Sequence, residues 1–276
     1  MQLRHRALEV LCLADPAAKA EQARALQACS CAGQGQLDTA ARIATPPGLP
    51  GRPALPRLVA ADQVARRSPF TWAGRAPLIH AICHIEFNAI NLALDAVWRF
   101  AGMPEAFYRD WLQVAGEEAL HFSLLREHLQ TLGHDYGDFE AHDGLWRMTE
   151  ATAGDVLARM ALVPRTLEAR GLDATPPIQA KLKKAGDARA VAILDIILRD
   201  EIGHVAIGNR WYAWLCQQGG QDPVALYPQL VARYAAPRLR PPFNLAARRA
   251  AGFSEAELAA LTQSGPTSAL HSAVAD

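Results

Sequence analysis

Glu118-Ala119-Leu120-His121 and Glu201-Ile202-Gly203-His204 decide how this chain is read. Each is a Glu-x-x-His, and on a helix positions i and i+3 share a face about one turn apart. A carboxylate and an imidazole placed in this way can bind one metal ion together, and two such pairs on two helices can bind two. Glu86 lies 32 residues before Glu118, and Glu168 lies 33 residues before Glu201. The chain therefore repeats a chemistry, Glu then Glu-x-x-His, without repeating a sequence. This is the ligand inventory of carboxylate-bridged di-iron and di-manganese helical bundles. Carboxylates and imidazoles suit hard to borderline ions such as Fe(II) and Mn(II), and the lack of thiolates argues against structural zinc.

The flanking residues say which way these groups face. Phe107, Trp111, Val114 and Leu125 continue the stripe of Glu118 and His121. Leu194, Ile197, Gly208 and Trp211 continue that of Glu201 and His204, and Ile79, Ile90, Ala93 and Val97 that of Glu86. The ligands thus interrupt apolar stripes of helical period. A carboxylate on a buried stripe is costly unless it is paired or metal-bound. A lone Glu-x-x-His is a common solvated helix face, but two on apolar stripes with matched preceding glutamates are not. Glu150 competes with Glu168 for the third-helix position, since it shares the same helical face. The matched spacing favours Glu168, although Pro164 should kink its helix.

The stretch His84-Ile85-Glu86-Phe87-Asn88-Ala89-Ile90-Asn91-Leu92-Ala93-Leu94-Asp95-Ala96-Val97-Trp98-Arg99-Phe100 resembles the signature of domain-of-unknown-function family 455, a mainly bacterial group of the ferritin-like superfamily. Ala141-His142-Asp143-Gly144-Leu145-Trp146, Met160-Ala161-Leu162-Val163-Pro164-Arg165 and the residues from Arg199 to Trp211 are similar too. So are Asp15-Pro16-Ala17-Ala18-Lys19 and Pro242-Phe243-Asn244, so that the resemblance covers nearly the whole chain. It implies an all-α, ferritin-like four-helix bundle with Glu86, Glu118, His121, Glu168, Glu201 and His204 as metal ligands. It implies no substrate. Cys29-Ser30-Cys31 and the Gly/Gln-rich residues after it fit no pattern of the family.

The rest of the sequence divides around the bundle into one domain, 1–276. Residues 2–28 read as N-terminal helices, with Asp15 a cap and Pro16 a first helical residue. Residues 29–76 form a Pro/Gly-rich arm, and 77–218 the metal-binding bundle, with helices near 77–101, 104–132, 145–170 and 187–218. The segment 133–144 is the long crossover between its halves. Residues 219–262 are C-terminal helices, one capped by Asn244 and one opened by the capping box Ser254-Glu255-Ala256-Glu257. Residues 263–276 read as a disordered tail. The arm and the residues 236–262 are expected to cover one flank, with Leu49, Leu55, Leu58, Val59 and Val64 as anchors; a mobile linker is the alternative.

Lys+Arg and Asp+Glu are both 28, so the net charge is zero and gives no electrostatic argument for a nucleic-acid partner. No uninterrupted apolar run approaches the roughly 18 residues a membrane span needs, and the basic start is broken by Glu9, unlike a signal peptide. A cytoplasmic protein is expected. Five cysteines at irregular spacing are no disulfide framework, and Cys29-x-Cys31 reads as an ordinary loop. Without a Cys-x-x-Cys pair, electrons would come from a separate donor. His80 and His84 read as structural histidines rather than ligands. Asp200, Asp195, Asp95 and Arg99 are candidates to orient the ligand imidazoles, and Tyr108, Tyr136 and Tyr212 to relay electrons.

The expected function is an O2-activating oxidoreductase, with two Fe ions (alternatives Mn/Mn or Fe/Mn) and a small-molecule substrate that the sequence does not identify. Residues beyond the bundle, which simple storage does not need, favour this reading. Iron storage in an assembly of identical chains, di-manganese peroxide dismutation and tRNA-base hydroxylation are the alternatives. The last would need a basic patch around Arg233, Arg238, Arg240, Arg248 and Arg249.

Overall fold

The computed structural model describes residues 1–64 and 68–263, the side chain of Trp72 excepted. The expected tail thus lies, from residue 264 onward, outside the described residues. Those described form an all-helical structure with no β-strand among them. Two short helices come first, α1 (Leu3–Leu11) and α2 (Pro16–Cys31). Asp15 accepts from the Ala18 amide and caps α2, where Pro16 can lead because a first-turn residue needs no amide hydrogen. Cys29 and Cys31 belong to the last turn of α2 and not to a loop.

The two longest hydrophobic stripes become α3 (Trp72–Arg99) and α4 (Glu105–Thr131), which pack along one another. Thr71 caps α3, and Gly133, at φ 82°, turns the chain out of α4 in the left-handed region that glycine enters freely. By length and mean hydropathy the stretch Ala73–Arg99 could cross a membrane, but 78% of its most apolar window is buried inside the protein. It is also interrupted by buried polar groups, including His80, His84, Asn88 and Asp95.

The expected helix 145–170 is not one helix. It runs as α5 (Gly144–Ala151), α6 (Val156–Leu162), a π-helical segment (Val163–Glu168) and α7 (Ala169–Lys184). Asp155 accepts from the Ala158 amide and starts α6 afresh. Pro164 has no amide hydrogen to donate, and the widened π turn absorbs the break. Thr166 supports that turn by donating from its hydroxyl to the Ala161 carbonyl at 2.7 Å. The segment presses against α8 (Ala188–Gln218): a Cβ on Gly208 would meet Pro164 Cβ at 2.6 Å, so only glycine fits there.

Pro176 and Pro177 do not stop α7. Pro176 has no amide hydrogen for the Leu172 carbonyl, and Asn244 Nδ2 donates to that carbonyl instead, at 3.2 Å. The C-terminal helices α9 (Pro223–Arg233), α10 (Leu245–Ala250) and α11 (Glu255–Gln263) follow. Asn244 caps α10, and the capping box forms, with Ser254 N donating to Glu257 Oε2 at 2.7 Å.

The arm between α2 and α3 is tied down by polar contacts as well as by Leu37, Ile43 and Leu49, which pack against the core. Leu55 and Leu58 are exposed, contrary to the anchoring expected of them. Arg4, which is 1% exposed, donates to the carbonyls of Asp38, Thr39 and Ala41 in the arm and of Val97 and Trp98 at the end of α3. Lys19 Nζ donates to the Gly51 carbonyl and to Asn91 Oδ1 at 2.7 and 2.6 Å. Arg52 pairs with Asp143, and the Val59 amide donates to the Ala141 carbonyl. Replacing Arg4 by Met removes the guanidinium donors and strands several carbonyls, which costs about 3 kcal/mol. Urea unfolding of Arg4→Met should show that loss, and stability within about 0.5 kcal/mol of the parent would contradict a clamped arm.

Candidate metal centre

Glu86 from α3, Glu118 and His121 from α4, and Glu201 and His204 from α8 come together inside the helices, and Glu168, at the end of the π segment, lies outside the two groups they form. All are buried, from 0% exposed for Glu118 and His121 to 8% for Glu168. Glu150, the competitor for the third-helix position, is exposed. Two triads converge, Glu86–Glu118–His121 and Glu118–Glu201–His204, each offering ligand atoms within 4.8 Å of one another. Each triad could hold a metal ion. Glu118 belongs to both.

The orientation of Glu118 divides the site. Its Oε2 lies 3.2 Å from His121 Nδ1, and its Oε1 lies 3.0 Å from His204 Nδ1. Glu86 Oε2 lies 3.3 Å from His121 Nδ1, and the two imidazole centroids are 5.9 Å apart. Glu168 is within electrostatic reach of both Glu118 and His204.

Each imidazole is held from behind by a carboxylate on the opposite helix. His121 Nε2 lies 3.0 Å from Asp200 Oδ2 on α8, and His204 Nε2 lies 2.8 Å from Glu117 Oε2 on α4. Asp200 immediately precedes Glu201, and Glu117 immediately precedes Glu118. The two halves therefore exchange the same support. A carboxylate behind an imidazole fixes its tautomer with the proton outward, leaving Nδ1 to point its lone pair at an ion. The sequence names Asp200 as a candidate but not Glu117; the acidic doublets Glu117-Glu118 and Asp200-Glu201 were the available signal.

The other candidates have structural duties. Asp195 accepts from Gln179, and Asp95 binds Arg99 and Arg159. His80 Nε2 accepts from the Gly137 amide, and His84 contacts Tyr136, Asn88 and the His142 carbonyl. Tyr108 and Tyr212 donate their hydroxyls to the Phe100 and Pro223 carbonyls. Of the arginines named for a basic patch, Arg248 is buried against Asp173 and Arg249 pairs with Glu255, while Arg233, Arg238 and Arg240 are exposed.

Electrostatics in the cluster are those of too many carboxylates in too little water. Burial, and then the charge of Glu118, pushes Glu86 and Glu168 up to about 8. The same two causes push Glu201 well above the usual carboxylate range. Burial also opposes the charge on Glu118, but His204 and His121 outweigh it and hold Glu118 well below that range. Burial likewise disfavours protonating the imidazoles. For His121 the carboxylates led by Asp200 outweigh it, and for His204 those led by Glu118, so both are raised.

A divalent cation answers the same need. Among the described residues, Glu168 Oε2 and Glu201 Oε2 are buried without a hydrogen-bond partner, and Glu118 Oε1 and His204 Nδ1 have only their mutual contact at 3.0 Å. Buried polar atoms are rarely left so. Two orphaned carboxylate oxygens beside a buried carboxylate–imidazole contact are the donor set of a carboxylate–histidine metal site. The residues fit the ions.

A family model described as protein of unknown function (DUF455) matches residues 12–259, and the chain belongs to that family. It is 55% identical over 213 residues to an uncharacterized protein of Haemophilus influenzae, a match spanning 75% of this chain and 74% of that one. No solved structure matches.

The cluster has a consequence for the metal-free protein. With Glu86 and Glu168 raised from 4.5 to about 8, the folded state holds more protons than the unfolded state across that window. The contribution of these two groups then falls as pH rises from about 4.5 to about 8, and this fall exceeds the opposite contributions of His80 and His84, which burial holds down to about 4 and about 3, and of Lys19, held down to about 7. The raised imidazoles act in the same direction above about 6.5. The melting temperature of metal-free protein should drop by at least about 5 °C between about pH 5.5 and about pH 8, and metal loading should abolish the drop. Scanning calorimetry reads both, and a metal-free melting temperature that rises over this range would contradict the arrangement.

Proposed function

We propose that this DUF455 protein is a ferritin-like dinuclear metal protein, with iron in both positions, acting as an O2-activating oxidoreductase on a small-molecule substrate. The observation that carries the reading is Glu118, whose two oxygens face two different imidazoles 5.9 Å apart. Such a carboxylate can bridge two ions. Glu86 and His121 would complete one position, and Glu168, Glu201 and His204 the other. Two Fe(II) ions held in this way can together supply two electrons to O2.

The helical layout supports the same reading. Four long segments (α3, α4, the run from α5 through the π segment to α7, and α8) contribute one Glu, a Glu-x-x-His, one Glu and a Glu-x-x-His in that order. That is the ferritin-like order, with 132–143 as the crossover. The whole described chain is then one such domain with additions at both ends.

The chain's own residues do the remaining work. Asp200 and Glu117 hold the outer nitrogens of His121 and His204, which keeps each Nδ1 aimed inward and more basic. The raised carboxylates Glu86, Glu168 and Glu201 give up protons when ions bind, which makes loading pH-dependent. Burial of all six groups keeps bulk water from the site. The five cysteines are free and include no Cys-x-x-Cys, so reducing equivalents come from a separate donor.

Anaerobic loading with Fe(II) followed by O2 tests the proposal. The expected result is about two irons per chain, a visible absorption band that depends on O2, and uptake of about one O2 per two irons. Continued accumulation to many irons per chain would indicate storage instead. No O2-dependent change at all would overturn the oxidoreductase.

A further inference from the structure

Glu168 reaches the metal centre on the shortest and least regular element that serves it. The π segment (Val163–Glu168) is a single widened turn, and Pro164 near its start has no amide hydrogen to hold it. Turns of this kind are rare, so the groups that hold this one decide where its last residue stands. Glu168 stands near the two triads without joining either. It is within electrostatic reach of Glu118 and His204, and its Oε2 is buried without a hydrogen-bond partner. A shift of about 1 Å in the turn is enough to change what such a carboxylate can ligate.

The groups that hold the turn come largely from the C-terminal additions. Thr166 donates to the Ala161 carbonyl and accepts from the Tyr227 hydroxyl of α9 at 2.8 Å. Arg165 is directed at the C-terminal helices, and its side chain is 3% exposed. Tyr212 of α8, Tyr227 of α9 and Phe253, just before α11, are centred 4.9, 4.9 and 4.8 Å from its guanidinium. Aromatic faces hold a cation but satisfy none of its in-plane N–H groups. Glu257 of α11 meets the charge, its Oε1 accepting from Nη2, while Nε and Nη1 are buried with no partner among the described residues.

Glu257 has a second duty. Its Oε2 accepts from Ser254 N and Oγ at 2.7 and 2.8 Å and closes the capping box of α11. One carboxylate thus joins the start of α11 to the π segment, with one oxygen for each task. A glutamine has one acceptor oxygen, so it can keep the cap or the arginine but not both. Removing the charge leaves a buried guanidinium unpaired, and the turn that carries it must then move.

We propose that Glu257 is a positioning residue for the metal centre: through Arg165 it fixes the π turn, and with it the place of Glu168 beside the ion that Glu201 and His204 would hold. The proposal rests on the dinuclear reading of the cluster.

Anaerobic titration of the full-length protein with Mn(II), read by electron paramagnetic resonance, tests it. In the parent about two Mn(II) bind per chain and couple, which suppresses the signal of an isolated ion. Glu257→Gln should weaken one ion about tenfold or more and leave the other as in the parent, so that the isolated signal persists. Tyr227→Phe keeps the ring, drops the hydroxyl that Thr166 accepts from, and should weaken the same ion about threefold; it applies the same criteria if Glu257→Gln fails to fold. Glu255→Gln breaks an exposed pair with Arg249 on the same helix and should change neither ion. Both ions bound as in the parent, or both weakened together, would overturn the proposal and leave the dinuclear reading standing. A parent that binds a single Mn(II) would overturn that reading, and this proposal with it.

Discussion

One buried carboxylate organises this protein. Glu118 sits fully inside the helices between two imidazoles, with Glu86 and Glu201 grouped around it and Glu168 within electrostatic reach. Such a concentration of acid is tolerated in a protein interior only if protons or cations neutralise it. The surroundings are built to that requirement. The imidazoles are each backed by an anion from the opposite helix, which favours an ion at the inner nitrogen. The flanking carboxylates are raised towards neutrality, so the metal-free cluster survives by holding protons that ions would displace. Helix α4 and helix α8 are thereby tied to each other twice, through Asp200 with His121 and through Glu117 with His204.

Much of this was legible in the residues, because the chemistry is written at helical spacing. Glu118 with His121 and Glu201 with His204 each occupy one face of one turn, and the apolar stripes around them turn that face inward. Glu168 was harder to place. Pro164 hides the period of its helix, and only the spacing to Glu201 set it above Glu150. The structure resolves the difficulty with a π turn, whose extra residue sequence periodicity cannot express. The extension of α7 through Pro176 and Pro177 was illegible for a related reason. Prolines read as helix stops, and the group that relieves this one, the Asn244 side chain, is 72 residues distant from the Leu172 carbonyl it satisfies.

The additions around the long helices also differ from a reading by composition. The arm was expected to grip through leucines and valines. Leu49 does pack against the core while Leu55 and Leu58 are exposed, and buried cations, Arg4 and Lys19, add donors to backbone carbonyls that an irregular segment cannot pair by itself. Burial is so complete at Lys19 that its ammonium is pushed down to about 7. The C-terminal helices close over Arg165, which pairs with Glu257 of α11, lies against Tyr227 and Phe253 and shares the π segment with Glu168.

The account stands or falls on whether Glu118 bridges two ions. Anomalous diffraction from iron-loaded crystals, recorded at the iron and manganese absorption edges, measures this directly. The account predicts two iron peaks about 3.5–4 Å apart, one beside each oxygen of Glu118, with His121 and His204 on separate ions. A single peak, or Glu118 still lying against the two imidazoles with no peak between them, would contradict it.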